Sequence, residues 1–103
     1  MKRSYHNYSV YILTNKQRGT LYIGMTGGID DRIERHRQGK GSFFTAKYNL
    51  TKLVYQEDFQ YVNDAIAREK QLKSWQRDWK IELIEKDNPE WKDLYKPLRG
   101  DSE

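Results

Sequence analysis

Tyr8-Ser9-Val10-Tyr11-Ile12-Leu13-Thr14-Asn15-Lys16-Gln17-Arg18-Gly19-Thr20-Leu21-Tyr22-Ile23-Gly24-Met25-Thr26 is the stretch whose reading decides the fold. Bulky and β-branched residues run from Tyr8 to Thr14 and again from Thr20 to Thr26, and the polar link Asn15–Gly19 is short. Two such strands across so short a turn make an antiparallel hairpin. Side chains alternate along a strand, so Tyr8, Val10 and Ile12 share one face while Ser9, Tyr11 and Leu13 share the other. In the second strand Leu21, Ile23 and Met25 oppose Tyr22 and Gly24. A register that pairs Tyr11 directly with Tyr22 puts both phenols on one face of the sheet. Phenols placed that way have a chemical use as well as a packing one.

Outward from the hairpin, Gly27-Gly28 ends the second strand, and Asp30 and Asp31 supply the first-turn acids of a helix from about Ile29 to Gln38. Gly39 is its natural stop. Residues 40–47 show no periodicity and are expected to form a basic, aromatic-tipped loop. A third strand lies within Leu50–Phe59, with Leu53, Tyr55 and Glu57 alternating against Val54, Gln56 and Asp58. Asn63 caps a second helix carrying Ala65, Ile66, Arg68, Glu69, Leu72 and Lys73; helical character continues through Trp75, Trp79, Leu83 and Ile84 with a break near Ser74. Asn88-Pro89 is expected to open a last short helical turn that gathers Trp91, Leu94 and Tyr95 on one side, and the tail after Pro97 is expected to fray. The fold class is α+β: a small three-stranded antiparallel sheet flanked by helices, in the order β-β-α-β-α-α. A single domain is expected over residues 1–103, with a core at about 5–85 and a short C-terminal helix and tail at 88–103.

Composition narrows the chemistry. With 36% apolar, 33% charged and 14% aromatic residues in 103, a thin core under a solvated surface has to draw on large side chains, and Trp75, Trp79 and Trp91 are expected in it. Lys and Arg number 19 against 15 Asp and Glu, a net charge of +4 that permits polyanion binding. Cysteine is absent, which removes disulfides, thiolate zinc sites and thiol nucleophiles; two histidines, His6 and His36, do not make a multi-histidine metal centre. No apolar stretch reaches membrane-spanning length, and the basic residues 1–7 lack a following signal-peptide core, so a cytoplasmic protein that engages no membrane is expected.

Two charges interrupt apolar helical stripes. Ile29, Ile33 and His36 form the inward stripe of the first helix, and Arg32 sits on it; Val62, Ala65, Ile66 and Leu72 outline the second, and Glu69 falls among them. Arg32 either snorkels outward, pairs with an acid, or faces the sheet; Glu69 is either half-exposed, ion-paired, or a ligand. If both face the sheet that carries the phenols, each suits a task. Arg32 can hold a phosphodiester through bidentate hydrogen bonds, and Glu69 can give an oxygen to a hard divalent cation. Tyr11 or Tyr22 can relay a proton to or from an attacking water if the cation or Arg32 lowers the phenol's pKa, and His36, one turn from Arg32, can take it near neutral pH. His36 equally suits the negative end of the helix dipole.

At these residues the chain resembles the GIY-YIG nuclease domain, a module found in a DNA excinuclease and in several homing and restriction endonucleases. The first motif stands as Val10-Tyr11-Ile12, followed after nine residues by Tyr22-Ile23-Gly24, then Thr26, the helix bearing Arg32 and His36, and Glu69 within Ala67-Arg68-Glu69-Lys70. The likeness covers roughly residues 5–85 and is strongest to small single-domain members, through Lys40-Gly41 and the run Arg68–Lys73. It implies metal-dependent hydrolysis of a phosphodiester. Tyr11 would be the general base or its relay, assisted by Tyr22 and His36, with Arg32 on the phosphate and Glu69 on a single Mg²⁺ or Mn²⁺. Many members carry an asparagine in the helical region after that glutamate, whereas Ser74–Lys86 contains none.

Around the motif, Arg35, Lys40 and Lys47 surround Phe43 and Phe44, a mixture that suits phosphate neutralisation and base stacking. The alternative is a solvated loop whose phenylalanines plug the core. Lys70 and Lys73 extend the basic set along the second helix. With no sequence-reading module, the expected substrate is structured, damaged or branched DNA, or RNA, with a protein partner as another source of specificity and DNA repair or recombination as the setting. Two other functions stay open: a catalytically weak or inactive nucleic-acid-binding module on the same scaffold, and a protein-interaction domain built on exposed tryptophans.

Overall fold

The computed structural model describes residues 7–95. Its centre is β1 (Tyr8–Thr14), which pairs antiparallel with β2 (Leu21–Thr26) on one side and β3 (Lys52–Phe59) on the other, giving the sheet order β2-β1-β3. A strand with neighbours on both edges and helices on both faces has no solvent side, and Ser9 to Thr14 are all buried. Val10 and Ile12 enter one core, with Ile23, Val54, Tyr55, Ala65, Leu72, Ile84 and Trp91. Tyr11 and Leu13 enter a second core on the opposite face, with Ile33, Leu50 and Leu53.

The hairpin register differs from the expected one. Tyr11 lies across from Gly24, and Tyr22 lies across from Leu13. An offset of two residues preserves the face, so both phenols stay on one side but sit diagonally. In the turn the left-handed residue is Arg18, at φ 57°. Gly19 is needed for closeness instead, since a Cβ there would stand 2.1 Å from Asn15 Oδ1, which accepts the Thr20 amide.

β3 departs from simple alternation. Ile12 pairs with Tyr55 and Leu13 with Leu53, so Val54 is an extra residue in a β-bulge. The bulge sends Leu53 to the Tyr11 face and Val54 with Tyr55 to the other, which is how three consecutive apolar residues are all buried.

α1 (Ile29–Arg37) covers the Tyr11 face through Ile33 and His36. It ends in a Schellman closure: the Gly39 amide donates to His36 O, the Lys40 amide to Arg35 O, and Gly39 takes φ +76°. The stretch expected as a loop contains a helix, α2 (Phe43–Lys47), whose N-cap Ser42 Oγ accepts the Thr45 amide. The element order is therefore β-β-α-α-β-α-α. Five residues are too few to carry a readable period, which is why the helix escaped the sequence pattern.

α3 (Val62–Ser74) and α4 (Arg77–Asp87) cover the Val10 face, with the break falling at Trp75-Gln76 as expected near Ser74. Leu72 is fully buried there, worth about 1.5–3 kcal/mol over exposure. Tyr61 occupies the N-cap of α3, so Asn63 lies inside the first turn and does not cap it. Asn88 closes α4 as its C-cap instead of opening a new helix, and residues 88–95 contain none. Its buried amide Nδ2 donates to Val54 O and Lys92 O, while Oδ1 accepts the Lys92 amide. The tryptophans divide: Trp91 is fully buried, Trp75 is half-buried and Trp79 is 50% exposed. The expected fraying after Pro97 and the N-terminal residue His6 lie outside the described residues.

Candidate active site

On the Tyr11 face the side chains converge on one imidazole. His36 is buried near the end of α1, with Nε2 3.1 Å from Tyr11 Oη and Nδ1 2.9 Å from Thr45 Oγ1. Thr45 Oγ1 in turn donates to the Ser42 carbonyl at 3.2 Å and lies 3.0 Å from Ser42 Oγ. A carbonyl can only accept, and threonine has one proton to give. On that assignment Nδ1 carries the imidazole proton and donates to Thr45, leaving the Nε2 lone pair to accept from the Tyr11 hydroxyl. Burial, with a smaller contribution from the Arg32 charge, lowers the His36 pKa from 6.5 and keeps the ring neutral. Burial, then Tyr22, raise the Tyr11 phenol well above its ordinary value of 10, while the Arg32 charge pulls the other way. A phenol that keeps its proton, hydrogen-bonded to a neutral imidazole, has the geometry to pass a proton along that bond.

Two glycines make room for this arrangement. A Cβ on Gly24 would stand 2.5 Å from Tyr11 Oη and 2.6 Å from Cζ. A Cβ on Gly41 would stand 2.1 Å from His36 Nδ1. The final glycine of Tyr22-Ile23-Gly24 is thus required by its cross-strand partner, Tyr11.

Tyr22 flanks the pair. Its ring centroid lies 6.3 Å from Tyr11 and 5.6 Å from His36, and it is half-buried where Tyr11 is 0% exposed. Of the two phenols, Tyr22 is the one that reaches solvent. Arg32 is half-buried and lines a polar cleft of about 490 Å³ with Thr26, Gly28, Asp31, Arg35 and Gly41. The cleft opens at the start of α1, where Thr26 Oγ1 accepts the Gly28 amide.

Glu69 is placed differently from the sequence expectation. The body of α3 packs on the Val10 face through Ala65 and Leu72, so Arg32 and Glu69 come from helices on opposite sides of the sheet. The Glu69 charge nevertheless reaches the Tyr11 phenol and contributes to raising it. The carboxylate is half-buried, and its Oε2 meets Lys73 Nζ at 3.0 Å. Lys73, expected on the nucleic-acid surface, is thereby engaged with the candidate metal ligand. Among the described residues no group of three or more His, Cys, Asp or Glu is arranged to hold a metal. One carboxylate fits a hard cation that keeps most of its water and takes further oxygens from a substrate phosphate.

Of the remaining expected contacts, Arg35 lies in the cleft, Lys40 follows the α1 closure, and Lys70 is exposed beside Glu69 on α3. Phe43 is 82% exposed and Phe44 41%, so neither plugs the core. Ser42 and Thr45 were not singled out from the sequence, and Gly41 entered only as part of the Lys40-Gly41 likeness. Ser42, a favoured N-cap residue type directly ahead of Phe43-Phe44, was the available signal.

Comparison with known proteins defines the class. The family model described as the GIY-YIG catalytic domain matches residues 7–82, and the chain belongs to that family, whose domain is characteristic of nucleases. A UPF0213 protein of Staphylococcus haemolyticus is 38% identical over 76 residues, 74% of this chain and 92% of that protein. Another from Staphylococcus saprophyticus is 37% identical over 75 residues, 73% and 90% respectively. The solution NMR structure of a UPF0213 protein from Bacillus halodurans superposes with a TM-score of 0.55 at 29% identity, covering 92% of this chain and 99% of that one. No helix among the described residues is long and apolar enough to cross a membrane.

Proposed function

We propose that this chain is a divalent-metal-dependent endonuclease that hydrolyses phosphodiester bonds in DNA. The observation that carries the reading is the hydrogen-bonded Tyr11–His36 pair lying beside Tyr22 and under the charge of Arg32. Arg32, with Arg35 next to it in the cleft, binds the phosphodiester and offsets charge that builds on its oxygens. Tyr22 presents its phenol to the substrate side. The buried Tyr11 relays a proton to His36 Nε2, and Thr45 holds the imidazole in the tautomer that can accept it. Glu69 would hold Mg²⁺ or Mn²⁺, and the bound cation would supply polarisation of the scissile phosphate. The same reading takes residues 1–103 as a single domain, acting in cytoplasmic DNA repair or recombination, with DNA structure or a protein partner setting the target.

The test is incubation of purified protein with branched, nicked and single-stranded DNA in Mg²⁺ or Mn²⁺. Cleavage is expected, and cleavage that survives both Glu69→Ala and Tyr11→Phe undiminished would sink the assignment. A second reading, a binding module that has lost chemistry, is favoured by the one asparagine near α4: Asn88 is occupied in tying Val54 to Lys92. It predicts salt-sensitive binding with no cleavage in any metal.

A further inference from the structure

We propose that α2 is a stacking platform for the unpaired bases of single-stranded DNA, so that the preferred substrate strand is unpaired where it meets the site; this rests on the nuclease reading above. The observation is a file of aromatic rings leading out of the site. Tyr22 stacks on Phe44 at 6.3 Å and 29° between planes, and Phe44 meets Tyr48 at 4.9 Å. Lys47 Nζ stands 5.4 Å over the Tyr48 ring at the outer end. Phe44 and Tyr48 are each 41% exposed, and Phe43 turns 82% of its surface to solvent.

The chemistry of that surface selects its occupant. Phosphates need cations, which Arg32 and Arg35 supply in the cleft and Lys47 supplies at the outer end of the file. The rings between those cations offer nothing to a phosphate. They do match the flat face of a nucleobase, and every base has such a face, so recognition here is independent of sequence. In a duplex those faces are already stacked on neighbouring bases and shut away from a protein ring. A strand whose bases are unpaired can lay them on Phe43, Phe44 and Tyr48 while its backbone runs into the cleft beside Tyr22. The file is continuous with the chemistry: Tyr22 contacts both the His36 ring and Phe44, so the platform begins at the candidate active site itself.

Fluorescence anisotropy in EDTA, with no metal and hence no cleavage, tests this on a labelled twelve-nucleotide DNA and on its blunt duplex at equal salt. The single strand is expected to bind at least about tenfold more tightly, with Phe43→Ala weakening it about five- to tenfold and leaving the duplex nearly unchanged. Phe43→Trp should retain binding, and 2-aminopurine in the strand should quench on association with the unsubstituted protein and not with Phe43→Ala. Lys47→Ala should weaken both DNAs and flatten the salt dependence. Circular dichroism checks that the exposed substitutions leave the fold intact. Equal affinity for the two DNAs, or an equal loss on both from Phe43→Ala, would overturn the platform. Tighter binding of an RNA strand of the same sequence would overturn the assignment to DNA. Because no metal is present, a protein that prefers the single strand yet never cleaves would keep the platform and lose the nuclease reading. One that cleaves without strand preference would do the reverse.

Discussion

Replacing Gly24 by alanine isolates the cross-strand fit at the centre of the site. The new Cβ would stand 2.5 Å from Tyr11 Oη, 2.6 Å from its Cζ and 3.0 Å from Tyr22 Cε2, against about 3.5–4.0 Å for an ordinary carbon contact. Tyr11 is fully buried and tied to His36, so its ring yields only by shifting into packed neighbours. Overpacking of that kind costs about 1–3 kcal/mol, and losing the phenol–imidazole bond adds about 1. Alanine in a strand recovers about 0.5–1 over glycine, which leaves a net loss of about 1–3.5 kcal/mol. For a domain of this size that lowers Tm by roughly 4–28 °C. Urea unfolding followed by the fluorescence of buried Trp91 measures the loss. Tyr11→Phe provides the partner for a double-mutant cycle: costly alone, because it strands His36 Nε2, it should cost little more when Gly24→Ala has already displaced the phenol. A Gly24→Ala protein within about 0.5 kcal/mol of the unsubstituted one, or two losses that simply add, would refute the reasoning.

Four further outcomes follow from the same geometry. His36 is held neutral with its pKa below 6.5, so the unfolded chain binds its proton first as pH falls; stability is complete above about 6.5 and declines below it, by at most about 1.4 kcal/mol per pH unit, until the folded-state pKa is passed. Denaturant midpoints taken across that window should show the decline and lose this component in His36→Gln. Thr45→Val leaves the imidazole N–H without an acceptor and should cost about 1–3 kcal/mol while shifting the acid limb of any cleavage profile; Thr45→Ser should restore both. Lys73→Met removes the cation already at Glu69 Oε2 and should tighten Mn²⁺ binding about two- to fivefold by calorimetric titration, with an unchanged affinity counting against Glu69 as the ligand. Asn88→Ala unpairs Val54 O and both Lys92 backbone groups and should cost about 2–3 kcal/mol, seen as an earlier Trp91 unfolding transition.

The hairpin, the helix after it and the split between α3 and α4 were legible because long runs carry their period in the residue types. The register was not, since alternation fixes the face of Tyr11 and Tyr22 but is blind to a shift of two residues. Alternation also mishandled Leu53-Val54-Tyr55, where a bulge resets the faces and leaves no mark in the sequence. Within the site, Arg32 and His36 were found because each sits on a helical stripe with Ile33. Thr45 was missed because a hydroxyl in a five-residue helix breaks no pattern, though it makes the hydrogen bond that orients the ring. Glu69 was found on its stripe, but a periodicity cannot say which side of a sheet its helix will cover. Asn88 showed the converse failure: a residue type shared by N-caps and C-caps was assigned to the wrong end.

The contrast between β1 and α2 gives the site two different lifetimes. Tyr11 hangs from a strand whose amides are bonded into both neighbours, so its exchange with deuterium requires the whole domain to open. Thr45 belongs to five residues that form scarcely more than one turn, too few to persist without their neighbours. Their amides should exchange through brief local openings, each of which releases the imidazole from its acceptor while the phenol stays in place. The expected result is slow exchange at Tyr11 and fast exchange across Phe43–Lys47, the phenol anchored for as long as the protein is folded and the imidazole's acceptor renewed within that span.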